Sequence, residues 1–425
     1  MRFLDGVFSS NWHFNIFYGL LFLAAATLPF TNYLMLPIAI LMLLNWMVEW
    51  NWKGKWKIIR DEKRIPAFII FSSICLIVIY GFFISYNKGH AMAYFDLYLW
   101  FFTAPMVMLA YPRELLSKRR IQNVLGIFAT ATTAHIITLF LVAFWKFITT
   151  GKTYYFTYES FSLFLHPTYI SMFATLSFSF ILVFLHQHKE IQRWKKVALL
   201  GALLCLFAGI ICLSSKAAII VFVILSVIWL LYIITDFKKR IICGVALLIL
   251  FSGLVLVLQK SNSYTFERFK STRTHLSQHK EYPNGNNSTQ IRISTWKSSW
   301  EVAKKNLPWG VGTGDVNNEL GLNAIHHNYK NLIGKQFNAH NQYLQNILST
   351  GIAGITILLL FSLYPLILAI KRKDILLLTF AIIMIINNLV ESTFEVRVGV
   401  DFFAAFNVLL YLNSEKDLDE KSSAN

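Results

Sequence analysis

The stretch Asn338-Ala339-His340-Asn341-Gln342-Tyr343-Leu344 closes the longest polar segment of the chain and runs into Gln345-Asn346-Ile347-Leu348-Ser349-Thr350-Gly351-Ile352-Ala353-Gly354. From Leu344 the sequence reaches Ile370 without a charged residue, and a helix needs about 20 mainly apolar residues to cross a membrane. A histidine therefore stands where hydrophilic chain enters a membrane helix. The first turn of such a helix leaves N–H groups unpaired and carries a partial positive charge, which attracts anions and favours a neutral imidazole. That combination suits a base beside a phosphate.

Working outward, the 425 residues are 56% apolar, 16% aromatic and only 14% charged, and the apolar residues fall in long blocks separated by short basic ones. This is the pattern of an all-α, polytopic membrane protein. Twelve membrane-length runs are expected, at 14–30, 33–48, 66–86, 92–111, 121–148, 166–187, 196–213, 217–235, 240–258, 344–370, 374–393 and 398–412. The chain then divides into N-terminal helices (1–258), a long loop (259–341), C-terminal helices (342–412) and a polar tail (413–425). The first run lacks a small-residue cleavage site and is expected to stay in the mature chain. Cys75, Cys205, Cys212 and Cys243 all fall within predicted spans and read as packing residues, with no disulfide framework or metal pair.

A net charge of +17 invites a nucleic-acid reading, but the placement of the basic residues argues against nucleic acid. They alternate by loop: Lys53 to Arg64, Arg113 to Arg120, Lys189 to Lys196, Lys238 to Arg240 and Lys371 to Lys373 all follow even-numbered spans. The opposite ends hold only Lys88, Lys146, Lys152, Lys216 and Arg397. The positive-inside rule then puts both termini in the cytoplasm and the long loop outside it.

Within that loop, Thr274–Asn287 has a disordered composition, while Ile291 to Asn306 has helical periodicity. Ile293, Trp296 and Trp300 share a face, with Arg292 at its edge, Ser288 or Thr289 placed to cap the start and Leu307-Pro308 to end it. The reading is an amphipathic helix on the membrane surface with its tryptophans at headgroup depth. Gly310-Val311-Gly312-Thr313-Gly314 follows no strand and reads as a turn.

Ionisable groups inside spans are costly and are functional candidates by default. Asp96, His166, Lys216, Glu391 and Asp401 all fall at the extracytoplasmic ends of their spans, on the side of Arg292, His340 and Arg397; only His135 lies near mid-membrane. Structural readings stand beside the functional ones: His166 caps a helix, Lys216 snorkels, Arg292 anchors its helix to lipid phosphate, and Glu391 pairs with Arg397 across a tight turn. His275, His279, His326 and His327 read as exposed loop histidines, and Asp417-Leu418-Asp419 as part of a solvated tail, so no metal site is assigned.

Ser214-Ser215-Lys216-Ala217-Ala218, then Arg292 with Trp296, then Pro308-Trp309-Gly310-Val311-Gly312-Thr313-Gly314, and finally His340-Asn341-Gln342-Tyr343-Leu344 with Gly351 and Gly354, resemble in order and spacing the O-antigen ligase and polymerase superfamily. Glu391 to Arg397, with Gly399 to Phe403, is similar to the segment around that superfamily's last span. The resemblance implies a multispan glycosyltransferase of the bacterial inner membrane, acting on its periplasmic face. Such an enzyme moves a glycan from a polyprenyl pyrophosphate to an acceptor without a nucleotide sugar, metal or other cofactor. It implies that His340 is the family histidine and that Arg292 holds pyrophosphate; Lys216 stands where many members have Arg, keeping the charge but losing the bidentate fork. Asn341, His166, Glu391 and Arg397 are expected to support the site. The expected partners are the lipid-linked glycan donor, a lipid A-core or glycan acceptor, and membrane lipids. Ligation to lipid A-core leads. A polymerase of O-antigen or capsule differs only in its acceptor, and a lipid or glycan transporter would need charges along a central path, where only His135 offers one.

Overall fold

The computed structural model describes residues 10–260, 288–335 and 337–415. Among the described residues the chain is helical and forms no strand. Every expected span coincides with a helix or a pair of helices. In chain order the helices of eight residues or more are α1 (Ser10–Thr27), α2 (Met35–Val48), α3 (Trp52–Asp61), α4 (Ile65–Ser72), α5 (Ile74–Ile84), α6 (Lys88–Leu97), α7 (Leu99–Met108), α8 (Lys118–Thr150), α9 (Pro167–Gln187), α10 (Arg193–Leu213), α11 (Lys216–Ile233), α12 (Phe237–Lys260), α13 (Ser288–Asn306), α14 (Val316–His326), α15 (Gln342–Arg372), α16 (Ile375–Val390) and α17 (Arg397–Asn413). Among the described residues, seven helical segments are long and apolar enough to cross a membrane, and three more apolar helices, at Trp12–Thr27, Met35–Val48 and Ile375–Val390, are shorter. Asp417-Leu418-Asp419, His275, His279 and Thr274–Asn287 lie outside the described residues.

The chain forms two compact units, one of residues 1–28, 32–124 and 281–425, the other of 29–31 and 125–280. In the first, α17 is buried on every side from Val398 to Asn413, with α7, α16 and α4 packed against it. A helix apolar all round is the one that belongs at the centre of a bundle. Its terminus is not a loose tail. Glu415 is buried in a square of charges, accepting from Arg64 at 2.8 Å and Arg113 at 3.0 Å, while Glu62 faces Arg64 at 2.7 Å and Arg113 at 3.2 Å. Arg64 is 1% exposed there and also donates to the carbonyls of Leu109 and Tyr111.

The apolar run that begins at Leu344 is not one straight helix. Thr350 and Gly351 leave helical geometry, Gly351 with φ +62° and ψ −143°, and the turn after α13 fills the break. Ile352 N donates to Pro308 O (2.9 Å), Val311 N to Leu348 O (3.0 Å) and Gly312 N to Ser349 O (2.8 Å). A Cβ on Gly351 would stand 1.9 Å from Pro308 O, and one on Gly310 2.6 Å from Ser349 O. The glycines thus permit backbone to meet backbone, which is why Gly310 to Gly314 works as a clamp on α15.

In the second unit α9 packs on α10 and α11, and α11 on α12. Pro167 occupies the first turn of α9, where its missing N–H costs nothing. Ser214 is left-handed (φ +51°) and ends α10, and Ser215 caps α11, so Lys216 stands in the first turn of that helix.

Candidate active site

The site is built on the junction between the loop and α15, as the opening stretch suggests. Asn341 caps α15, its Oδ1 accepting from Leu344 N at 3.0 Å. Its own N–H donates to Ser392 Oγ at 3.1 Å. His340 precedes the cap with φ +45°, the left-handed region that few residues without a glycine backbone adopt, His among the more tolerant. Asn338 Oδ1 accepts from His340 N (3.0 Å), and Gln345 Oε1 accepts from Ala339 N (2.9 Å). Each bond fixes the backbone around one side chain.

That side chain meets Glu391. His340 Nδ1 lies 2.9 Å from Glu391 Oε1, and Arg292 Nη2 donates to Glu391 Oε2 at 3.0 Å. All three side chains are partly shielded, the carboxylate most, at 13% exposure. A carboxylate only accepts, so the Nδ1 beside it carries the proton and Nε2 presents its lone pair; Nε2 has no hydrogen-bond partner among the described residues. The arrangement has the logic of a base held in one tautomer by an acid partner. Arg292 Nε is buried, likewise without a hydrogen-bond partner among the described residues.

The helix that supplies Arg292 corrects the amphipathic reading in part. Gln290, Ser294, Thr295, Ser298, Ser299, Val302 and Ala303 are its buried positions, while Ile293 and Trp300 are exposed. Small side chains allow α13 to lie close against α15 and α14. Trp296 is half-buried and its indole N–H donates to His340 O at 3.1 Å. It braces the histidine's backbone from α13, one turn beyond Arg292.

Arg397 does not pair with Glu391. It donates to Asp96, at 2.9 Å to the carboxylate and 3.1 Å to the carbonyl, because Glu391 is already claimed by His340 and Arg292. Glu395, four residues after Glu391, accepts from Tyr94 OH at 2.5 Å. Burial, more than any partner, pushes the Glu395 carboxyl above the usual range. Sequence reading passed over Glu395 and Gln345; the only available signal was a charged or amide residue in a segment otherwise suited to packing.

Lys216 and His166 belong to the second unit. His166 caps α9, its Nδ1 accepting from Thr168 N at 3.4 Å, with Tyr158 OH 3.4 Å from Nε2. Lys216 is half-buried at the start of α11. His135 is buried edge-on to Phe30, with neither ring nitrogen hydrogen-bonded among the described residues. His326 and His327 are exposed, the latter 3.9 Å from Glu301.

Residues 201–359 match the family model described as O-antigen ligase. The matched segment includes Lys216, Arg292, His340 and Asn341 and stops short of Glu391 and Arg397. The resemblance seen in the motifs therefore stands on this segment, and the family suggests a glycan-transfer role in O-antigen or related polysaccharide assembly. No curated protein matches the chain.

Proposed function

From a chain whose residues 201–359 carry the O-antigen ligase pattern, we propose a metal-independent glycosyltransferase that moves a glycan from a polyprenyl pyrophosphate to an acceptor sugar, most specifically O-antigen to lipid A-core. The observation that carries the proposal is the single run of hydrogen bonds joining His340, Glu391 and Arg292. A sugar hydroxyl is a poor nucleophile at neutral pH and needs a base within hydrogen-bond reach. In this reading His340 Nε2 takes the proton of the acceptor hydroxyl as its oxygen bonds to the anomeric carbon of the donor. The bond from that carbon to the phosphate oxygen breaks, and the electron pair leaves on the pyrophosphate. Glu391 holds the ring and offsets the charge it gains. Arg292, with N–H groups beyond the one given to Glu391, binds the leaving pyrophosphate; the motif resemblance, apart from the geometry, assigns Lys216 as a second cation. Asn341, through Ser392, ties the start of α15 to the segment that carries Glu391. His166 caps the start of α9, and Arg397 ties the start of α17 to Asp96.

We further propose twelve spans in the bacterial inner membrane, with both termini cytoplasmic and residues 259–341 periplasmic, on the strength of the charge alternation. Single cysteines at Ser277 and Ser422 test this with an impermeant thiol reagent on cells permeabilised only in the outer membrane. Labelling at Ser422 and not at Ser277 would invert the topology.

The chemistry is tested with purified protein and a lipid-linked glycan, offered either core lipid or a second lipid-linked glycan. Product on core lipid supports ligation. Product only on the second lipid-linked glycan makes the protein a polymerase, and movement of the lipid-linked glycan across vesicles with no new glycosidic bond makes it a transporter.

A further inference from the structure

In the second unit, α9, α10, α11 and α12 line an open cavity of about 680 Å³, a size typical of ligand sites. Phe178, Phe207, Phe222, Trp229, Leu247 and Phe251 are among the residues of its wall, which is almost wholly aliphatic and aromatic. The lining hydroxyl, that of Ser226, is spent on the carbonyl of Phe222 at 2.7 Å. A wall of this kind offers a guest no hydrogen bond, so the part of the guest that enters is hydrocarbon.

The cavity lies toward the C-terminal end of α11 and over the middle of α12. On α11 the lining runs from Phe222 to Ile233, away from Lys216 at the helix start; on α12 it runs from Cys243 to Phe251, away from Lys260. That end carries Lys238, Lys239 and Arg240. Arg240 is fixed at the mouth, donating to Leu231 O at 3.1 Å and to Ile234 O, and Ile234 itself lines the cavity. Lys238 and Lys239 are exposed beside it. At 1.5 Å per residue, the α11 wall from Phe222 to Ile233 is about 17 Å long, close to the roughly 15 Å of hydrocarbon in one leaflet.

An apolar slot one leaflet deep, open beside a cluster of cations, matches a lipid with a phosphate at the surface and a chain below it. We propose that this cavity is a binding site for an anionic glycerophospholipid. One acyl chain occupies the slot and the phosphate sits on Arg240, Lys238 and Lys239. The depth favours an acyl chain over a polyprenyl chain, and the mouth lies at the opposite end of α11 from Lys216. The site is independent of glycan transfer, and its test reads binding without turnover.

The full-length protein, delipidated in detergent, is mixed with phosphatidylglycerol, phosphatidylethanolamine or polyprenyl phosphate, and bound lipid is counted by native mass spectrometry. Phosphatidylglycerol is expected to be retained over phosphatidylethanolamine. At about fivefold per cation, Lys238→Gln with Lys239→Gln lowers its retention roughly 25-fold, and adding Arg240→Gln lowers it roughly 100-fold. The pair leaves the Arg240 cap on α11 in place, so its effect is separable from misfolding. Leu204→Trp, which fills the slot from α10, lowers retention while leaving the cations intact. Equal retention of the two phospholipids, preferential retention of polyprenyl phosphate, or wild-type retention by either the Lys pair or Leu204→Trp would each overturn the assignment.

Discussion

Glu391→Gln tests the link on which the chemistry depends. The carboxylate accepts from two donors, His340 Nδ1 at 2.9 Å and Arg292 Nη2 at 3.0 Å. An amide of the same shape has one acceptor oxygen and a donor NH₂, so it keeps one of those bonds and loses the other. A hydrogen bond to a charged group contributes about 1.5–3 kcal/mol. The Glu391 side chain is only 13% exposed, so screening by solvent removes little of this. At 1.36 kcal/mol per tenfold, the expected fall in turnover is about 10- to 150-fold. The assay is transfer from a labelled lipid-linked glycan by purified protein, with thermal unfolding of both proteins measured alongside. Because Glu391 holds the base and not the glycan, kcat should fall with little change in KM for the acceptor. Wild-type turnover by a folded Gln variant would refute the role of Glu391 in orienting His340.

Arg292→Ala should abolish transfer while the protein still reaches the membrane, and a chelator should leave the wild type active; inhibition by the chelator, restored by a divalent cation, would defeat the metal-free reading. Gly351→Ala should destabilise the protein by at least about 1–3 kcal/mol, since the backbone there is open to little but glycine and its Cβ would overlap Pro308 O; an unchanged unfolding temperature would show that the clamp is not rigid. Burial raises the Glu395 carboxyl above the 4.5 usual for glutamate, so the folded state holds that proton more tightly than the unfolded chain. Its stabilising contribution is present below about pH 4.5 and is lost as pH rises through the raised value. Glu395→Gln should therefore gain stability relative to wild type as pH rises, and parallel curves of unfolding temperature against pH would contradict this.

The apolar helices were legible because a long apolar run with few charges folds as helix and little else. Hydropathy was blind to the break at Gly351, since threonine and glycine interrupt an apolar run no more than alanine does; the signal lay in Gly310, where a Cβ would stand 2.6 Å from Ser349 O. His340, Arg292 and Asn341 were legible from position and motif. What joins them was not, because Glu391 is 51 residues from His340 and 99 from Arg292, and no local pattern records such a distance. Proximity in sequence pointed instead to Arg397, which the fold turns toward Asp96. Trp296 read as a lipid-facing residue by periodicity alone, yet its indole N–H has a backbone carbonyl to satisfy. Asn413 to Glu415 read as the start of a polar tail, and pairing of the buried Glu415 with Arg64 and Arg113 gave that polarity its use.

The central claim is that His340 accepts the proton of the acceptor hydroxyl, and the most direct measurement is the single-turnover rate of His340→Gln with donor bound. Glutamine can keep a hydrogen bond to Glu391 but cannot take a proton at neutral pH. The account predicts that donor binding survives and that the rate falls by about 10²–10⁴-fold, as for loss of a general base. Transfer at close to the wild-type rate would contradict it, leaving His340 as a residue that only positions substrate.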